Sequence, residues 1–378
     1  MNRPSGSLIS FMSNLVKANG GINCAQGIPG FEPPKELISE LVSVAQTPIH
    51  QYPAGNGNPK LRELISSGLC GNCGLKAENV LVTNGATEAI SLIYLYLRQK
   101  TAGNFTVMSF DPVYESYANL PKIYGDRFLC EYPDESGSFD FETVERRVKN
   151  EKVNLVLLCS PGNPLGKIWK KDEIMALYEI CRKYGANLVF DAVYSDLYFA
   201  EKPYLPFELV DETLFVVSAF SKMLSITGWR IGYIVGEAQH IENMAKIHDY
   251  TGLCTPSVLQ AAIAGYMEKN DFGSSYLAFL RGKVRRSFEI MHSALEKSGF
   301  FMPSIDGGYF VWAKIPQRFD DGFKFAMDLY ESQKVGTVPG IHFSEKGNNF
   351  IRISIAKEAA EIEEAASRIS DFVKSSAI

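Results

Sequence analysis

Several short stretches of this chain carry residue types that chemistry needs, and each follows an apolar run. Ser218-Ala219-Phe220-Ser221-Lys222 leads within a few residues to Gly228-Trp229-Arg230. A lysine just past a buried strand is ordinarily a solvated side chain. The alternative is a lysine that is desolvated or crowded by another cation, whose amine deprotonates easily and can form a Schiff base. Asp191 ends the apolar run that starts at Asn187, and Tyr194 follows it. A carboxylate in that position is costly unless it meets a cation or hydrogen-bond donors. Ser160-Pro161-Gly162-Asn163-Pro164-Leu165-Gly166 is a rigid turn that presents Asn163, or a plain connector. In Asp111-Pro112-Val113-Tyr114 the ring of Tyr114 can lie flat on a planar ligand or join the core. Thr83-Asn84-Gly85-Ala86-Thr87-Glu88 puts small residues at a helix start, where backbone N–H groups and the helix dipole favour an anion such as phosphate. It matches neither G-x-G-x-x-G nor the Gly-Lys-Ser/Thr of a P-loop, and a structural turn is the alternative.

The elements between these stretches explain why they could meet. Val80-Leu81-Val82, Phe105–Phe110, Val153–Cys159, Asn187–Phe190, Leu214–Val217 and Ile231–Val235 read as strands, and Val153–Cys159 is apolar enough to be buried on both faces. Helical patterns alternate with them. Ile90, Ile93, Tyr94 and Leu97 share one face, and Ile174, Leu177 and Cys181 share another, in a helix capped by Asp172 and stopped by Gly185. A β/α succession predicts a largely parallel sheet between helices, with ligands bound at the carboxyl ends of its strands. Phosphate cradle, ring, Asn, Asp, Tyr and a Lys–Arg pair fall in order at successive strand ends. Together they suit one ligand, an aromatic pyridine aldehyde carrying a phosphate. The last hundred or so residues differ, with a polar helix at Leu277–Lys297, strands near Phe310 and Phe350 and a closing helix through Ile362 and Phe372. They read as a smaller α+β domain that the first 45 residues join.

Composition excludes several classes. Lys and Arg number 38 against 43 Asp and Glu, a net charge of −5, so there is no basic footprint for nucleic acid or an anionic membrane. No apolar run is long enough to span a bilayer, and the N-terminal residues lack a secretory pattern. A cytoplasmic protein is the expectation. The seven cysteines are odd in number and scattered, as free thiols are. Cys70-Gly71-Asn72-Cys73 has no second pair, and the five histidines form no ligand pair, so no metal site is expected. The 31 glycines and 18 prolines cluster at the turns named above instead of forming a linker.

From about Ile22 onward the chain resembles the fold-type I, class I/II aminotransferases that use pyridoxal 5'-phosphate. The most specific match is Ser221-Lys222 through Gly228-Trp229-Arg230. Gln26-Gly27-Ile28-Pro29 and Phe350-Ile351-Arg352 look most like the kynurenine, glutamine–phenylpyruvate and methionine branch. The resemblance implies a large α/β cofactor domain over residues 46–274 and a small α+β domain from 1–45 and 275–378. It implies that Lys222 holds the cofactor through a Schiff base and that Asp191 bonds the pyridine nitrogen. Tyr194 and Asn163 would bond the phenolic oxygen, and Tyr114 would stack on the ring. Gly85, Ala86, Thr87, Ser218, Ser221 and Arg230 would bind the phosphate. Tyr52 would reach the phosphate of a neighbouring subunit in a homodimer. Arg352, with Asn163 and the backbone at Gly27, would clamp the substrate α-carboxylate. Leu165, Ala192, Gly30 and Ala219 depart from the family's usual residues.

The implied activity is ping-pong transfer of an amino group from an L-amino acid, aromatic or methionine-like, to a 2-oxo acid. No second basic residue is placed to read a side-chain carboxylate. A C–S β-lyase shares the same site and is the alternative within enzymes. Outside enzymes the alternative is a regulator that senses pyridoxal phosphate, which would need a DNA-binding domain. Phe11, Tyr52, Tyr117 and Cys254–Ser257 are candidates for the side-chain pocket.

Overall fold

The computed structural model describes residues 4, 6–71, 73–134 and 137–375. Its frame is a seven-stranded sheet of β1 (Val80–Thr83), β2 (Thr106–Phe110), β3 (Arg127–Glu131), β4 (Leu155–Cys159), β5 (Asn187–Asp191), β6 (Leu214–Ala219) and β7 (Gly232–Val235), in the spatial order β1-β7-β6-β5-β4-β2-β3. Every neighbouring pair is parallel except those made by β7, which runs against both β1 and β6. The fold is the expected α/β architecture with a mixed, mostly parallel sheet.

Strand period and burial explain the layering. Val156, Leu158, Leu188 and Phe190 enter the core on one face of the sheet, while Leu155, Leu157 and Val189 enter a separate core on the other. A sheet covered on both faces needs near-continuous apolar strands, which β4, β5 and β6 supply. The edge strand β3, Arg-Phe-Leu-Cys-Glu, is only partly buried, and the sequence reading lacked it. The helix Lys171–Tyr184 starts one residue before Asp172, which lies in its first turn; the cap position is Lys170. Gly185 ends that helix with φ of 70°, the left-handed conformation that glycine adopts freely.

A second body packs over the carboxyl edge of the sheet. Its three-stranded antiparallel sheet has Phe350–Ser354 at the centre, flanked by Val338–Pro339 and Phe310–Lys314. The 24-residue helix Ser274–Lys297 joins the two bodies. Leu277 packs into the large-sheet core, while Leu280, Val284, Met291 and Leu295 pack into the smaller one. From the N-terminal segment, Ile22, Cys24 and Phe31 enter the smaller core. Leu37, in the helix Lys35–Ala45, enters the large-sheet core instead, and Glu40 of that helix pairs with Lys269 at 2.7 Å. No described helix is long and apolar enough to cross a membrane.

Candidate active site

The topology sets which loops can meet. β1, β2, β4, β5 and β6 all end at the same edge of the sheet, and β7, being antiparallel, starts there. Arg230 therefore joins the loop ends of the other strands although it precedes its own strand. A cavity of about 250 Å³ opens at this edge. The large sheet contributes Ala86, Thr87, Tyr114, Asn163, Asp191, Tyr194, Ser221, Lys222 and Arg230 to its wall, and the second body contributes Gly27, Phe310 and Arg352.

Asp191 is buried at the end of β5. The Tyr117 hydroxyl donates to its Oδ2 at 2.6 Å and the Val193 N–H to its Oδ1 at 3.0 Å. Burial pushes the carboxyl up to about 6, against the pull of those two donors. Among the described residues no cation pairs with this carboxylate. Lys222 sits in the one-turn helix Phe220–Met223 after β6, and its Nζ donates to Gly27 O at 2.6 Å. Burial, then the charges of Arg352 and Arg230, bring its ammonium down to about 7. A neutral, nucleophilic amine is then accessible at ordinary pH.

Arg352 is 1% exposed on the central strand of the small sheet. Its Nη1 donates to Asn163 Oδ1 at 2.9 Å and its Nη2 to Ala25 O at 2.5 Å. Nε has no hydrogen-bond partner among the described residues. The guanidinium lies 4.2 Å from the Phe310 ring centre and 4.7 Å from that of Phe343. Burial lowers it to about 10. Its direct partners are neutral oxygens and aromatic faces, so a planar carboxylate is the ligand its fork matches best.

At the other end of the cavity, the helix Ala86–Lys100 begins with Gly85 at φ of 85° and no side-chain cap. A Cβ on Gly85 would meet Arg230 Nη2 at 2.3 Å, so only glycine lets the guanidinium lie against this turn. Arg230 donates to Thr227 O at 3.0 Å and Asn84 O at 3.1 Å. Open N–H groups beside a guanidinium form an anion cradle.

A protein-family model, aminotransferase class I and II, matches residues 19–369. The chain belongs to this family. It is an enzyme, a transferase. A probable aspartate aminotransferase of Methanocaldococcus jannaschii is 32% identical over 91% of each chain. A probable kynurenine–oxoglutarate transaminase of Saccharomyces cerevisiae is 30% identical over 92% of this chain and 86% of its own. The structure of N-succinyldiaminopimelate aminotransferase from Mycobacterium tuberculosis superposes with a TM-score of 0.89 at 27% identity, covering 97% of each chain. These aminotransferases are named for different side chains, so the family leaves the side chain of this enzyme's substrate unassigned.

Not every expected residue of this aminotransferase lies at the cavity. Ser218 alternates away from it within β6, and its hydroxyl donates to Ala192 O at 3.4 Å, whereas Ala219 and Ser221 face the cavity. Tyr52 is 82% exposed and outside the cavity wall of its own chain. Phe11 and Cys254–Ser257 are not in the wall either. Gly30 replaces the family's usual Asp for a steric reason, since a Cβ there would meet Ala356 O at 2.8 Å. Tyr117 touches the cavity, but its hydroxyl is spent on Asp191. A hydrogen bond to a charged group is worth about 1.5–3 kcal/mol. Tyr117→Phe is therefore expected to lower kcat/KM roughly ten- to hundredfold with the fold intact. Loss of this donor raises the Asp191 carboxyl further, so the acid limb of the pH–rate profile should move to higher pH. An unchanged profile would remove Tyr117 from the site's working parts.

Proposed function

We propose that this chain is a pyridoxal-phosphate-dependent aminotransferase that moves an amino group from an aromatic or methionine-like L-amino acid to a 2-oxo acid by a ping-pong sequence. One observation carries the reading. A buried lysine with a lowered amine, a buried carboxylate with no ion pair among the described residues and a buried guanidinium with neutral acceptors share the wall of one cavity. The wall fits the cofactor at several points. Asp191 suits a protonated pyridine nitrogen, the Tyr114 ring suits a planar heterocycle, and the Gly85–Thr87 turn with Ser221 and Arg230 suits a phosphate.

When bound, pyridoxal phosphate supplies an electron sink conjugated to the substrate α-carbon. The protein's own groups do the rest. Lys222 would hold the cofactor through Nζ, whose free amine the buried site favours. Its amine, when free, would serve as the general base that takes the substrate α-proton and as the general acid that returns a proton. Asp191 keeps the proton on the pyridine nitrogen. Tyr194 and Asn163 orient the phenolic oxygen. Arg352, with Asn163 and the Gly27 backbone, holds the α-carboxylate, which turns the α-C–H bond toward Lys222. The Tyr309 hydroxyl donates to the same Gly27 carbonyl as Lys222, at 2.9 Å, and so helps to fix that wall.

The exposure of Tyr52 suits a residue that serves the site of a second copy, as expected for a homodimer. The division into a large cofactor domain over 46–274 and a small domain from the two chain ends remains our reading of the architecture. The test is a panel of amino donors given to the cofactor-loaded protein, scored by bleaching of its visible band. Methionine, phenylalanine, tyrosine and kynurenine are expected to bleach it fastest, and an added 2-oxo acid to restore it. Pyruvate released from cystathionine with no oxo acid present would move the assignment to a C–S lyase.

A further inference from the structure

Glu115 lines the same cavity as Lys222 and Arg352, yet the chemistry above gives it no task. It opens the helix Glu115–Ile123, directly after the ring of Tyr114. Behind it stands His342, from the turn Gly340–His342 of the second body, with Nε2 2.9 Å from Glu115 Oε2. His342 is buried and does not line this cavity, so Glu115 stands at the cavity wall with the imidazole holding its carboxylate from outside. Burial works to raise the Glu115 carboxyl, but His342, a hydrogen bond from Ser7 and the charge of Arg352 outweigh it and hold the group ionised.

The remaining wall is uncharged where a side chain could lie. Ile9, Ile90, Val193 and Phe310 are apolar, and Thr227 is neutral. The three cations of the wall are committed, Lys222 to the aldehyde, Arg230 to the phosphate and Arg352 to the α-carboxylate. A second carboxylate on the substrate would therefore find no free cation on this chain's wall and would find one anion. We propose that Glu115 is a specificity-determining residue whose carboxylate excludes amino and 2-oxo acids with an anionic side chain, so that both substrates carry neutral side chains. The proposal rests on the aminotransferase reading and deepens it.

Donor pairs of matched shape and different charge test it on the loaded enzyme, L-glutamine against L-glutamate and L-asparagine against L-aspartate. Like charges roughly 8–12 Å apart at an effective dielectric of about 20 predict a roughly ten- to thirtyfold preference in kcat/KM for each amide. Glu115→Gln should shrink that ratio to within about threefold by raising kcat/KM for the acidic donors, and Glu115→Asp, which keeps the charge, should retain it. Three results would overturn the proposal. The first is a wild-type enzyme that takes glutamate as readily as glutamine, as when a cation from a second copy reaches the site. The second is a ratio that does not move in Glu115→Gln. The third is a uniform loss across all donors, methionine included, which marks a structural role. A wild-type protein inert to every donor would instead strike down the aminotransferase reading, and this proposal with it.

Discussion

Lys222→Ala is expected to lower turnover at least roughly 10³-fold, the middle of the range for removing a general acid–base group. The variant also loses the visible band that the wild-type protein gains with the cofactor. Two roles converge on one atom, because Nζ both holds the aldehyde and moves the α-proton. Substitution by arginine should not rescue it, since guanidinium stays protonated and does not condense with an aldehyde at neutral pH. The sign of the pH dependence follows from the lysine environment. Burial and the neighbouring arginines bring the ammonium down to about 7, so the fraction of free amine rises as pH climbs through that value. The rate at which the stripped protein takes up the cofactor is expected to rise about tenfold per pH unit below 7 and flatten above it. An uptake rate still climbing at pH 9 would mean an ordinary solvated lysine. Transamination retained in Lys222→Ala would end the assignment outright.

The sequence made the frame of this site legible for a physical reason. β4, β5 and β6 are buried on both faces, so they appear as apolar runs, and the polar residue that ends each run marks the carboxyl edge where ligands bind. Asp191 ends such a run, and Asn163 and Lys222 lie in the turns that follow two others. Where burial is partial the signal fades, and the exposed edge strand β3 was missed because Arg127 and Glu131 break its apolar pattern. Side-chain direction was harder still. Ser218 was expected at the phosphate and lies on the other face of its strand, one residue out of phase with Ala219. Tyr117 is separated from Asp191 by 74 positions, and no local pattern reports that its hydroxyl ends beside that carboxylate. Nothing local marks Glu115, a first-turn helix residue that only the fold sets against His342. Such pairings belong to tertiary structure, and the motifs record only the strand ends that make them possible.

Arg352→Ala is expected to lower kcat/KM for every α-amino acid roughly 10²- to 10³-fold, the cost of truncating one partner of a buried charged pair. Simple amines without a carboxylate should react as they do with the wild type. The contrast tests the clamp, because a general collapse of the site would slow both classes. Arg352→Lys is expected to recover only part of the loss, since a point charge cannot reproduce two parallel N–H donors to a planar carboxylate. The structure also predicts how stability will respond. The guanidinium donates to neutral oxygens and packs on aromatic rings, Nε has no partner among the described residues, and only the Glu115 charge, outside ion-pair contact, offsets its burial, so the fold gains little electrostatic compensation for holding it there. Its removal should therefore shift Tm far less than it lowers kcat/KM, and the truncated side chain costs mainly its packing against Phe310 and Phe343. A thermal midpoint that fell in step with activity would make Arg352 a structural residue. A midpoint that held while amino acids, and not amines, lost their reactivity would identify it as a charge kept buried for the substrate.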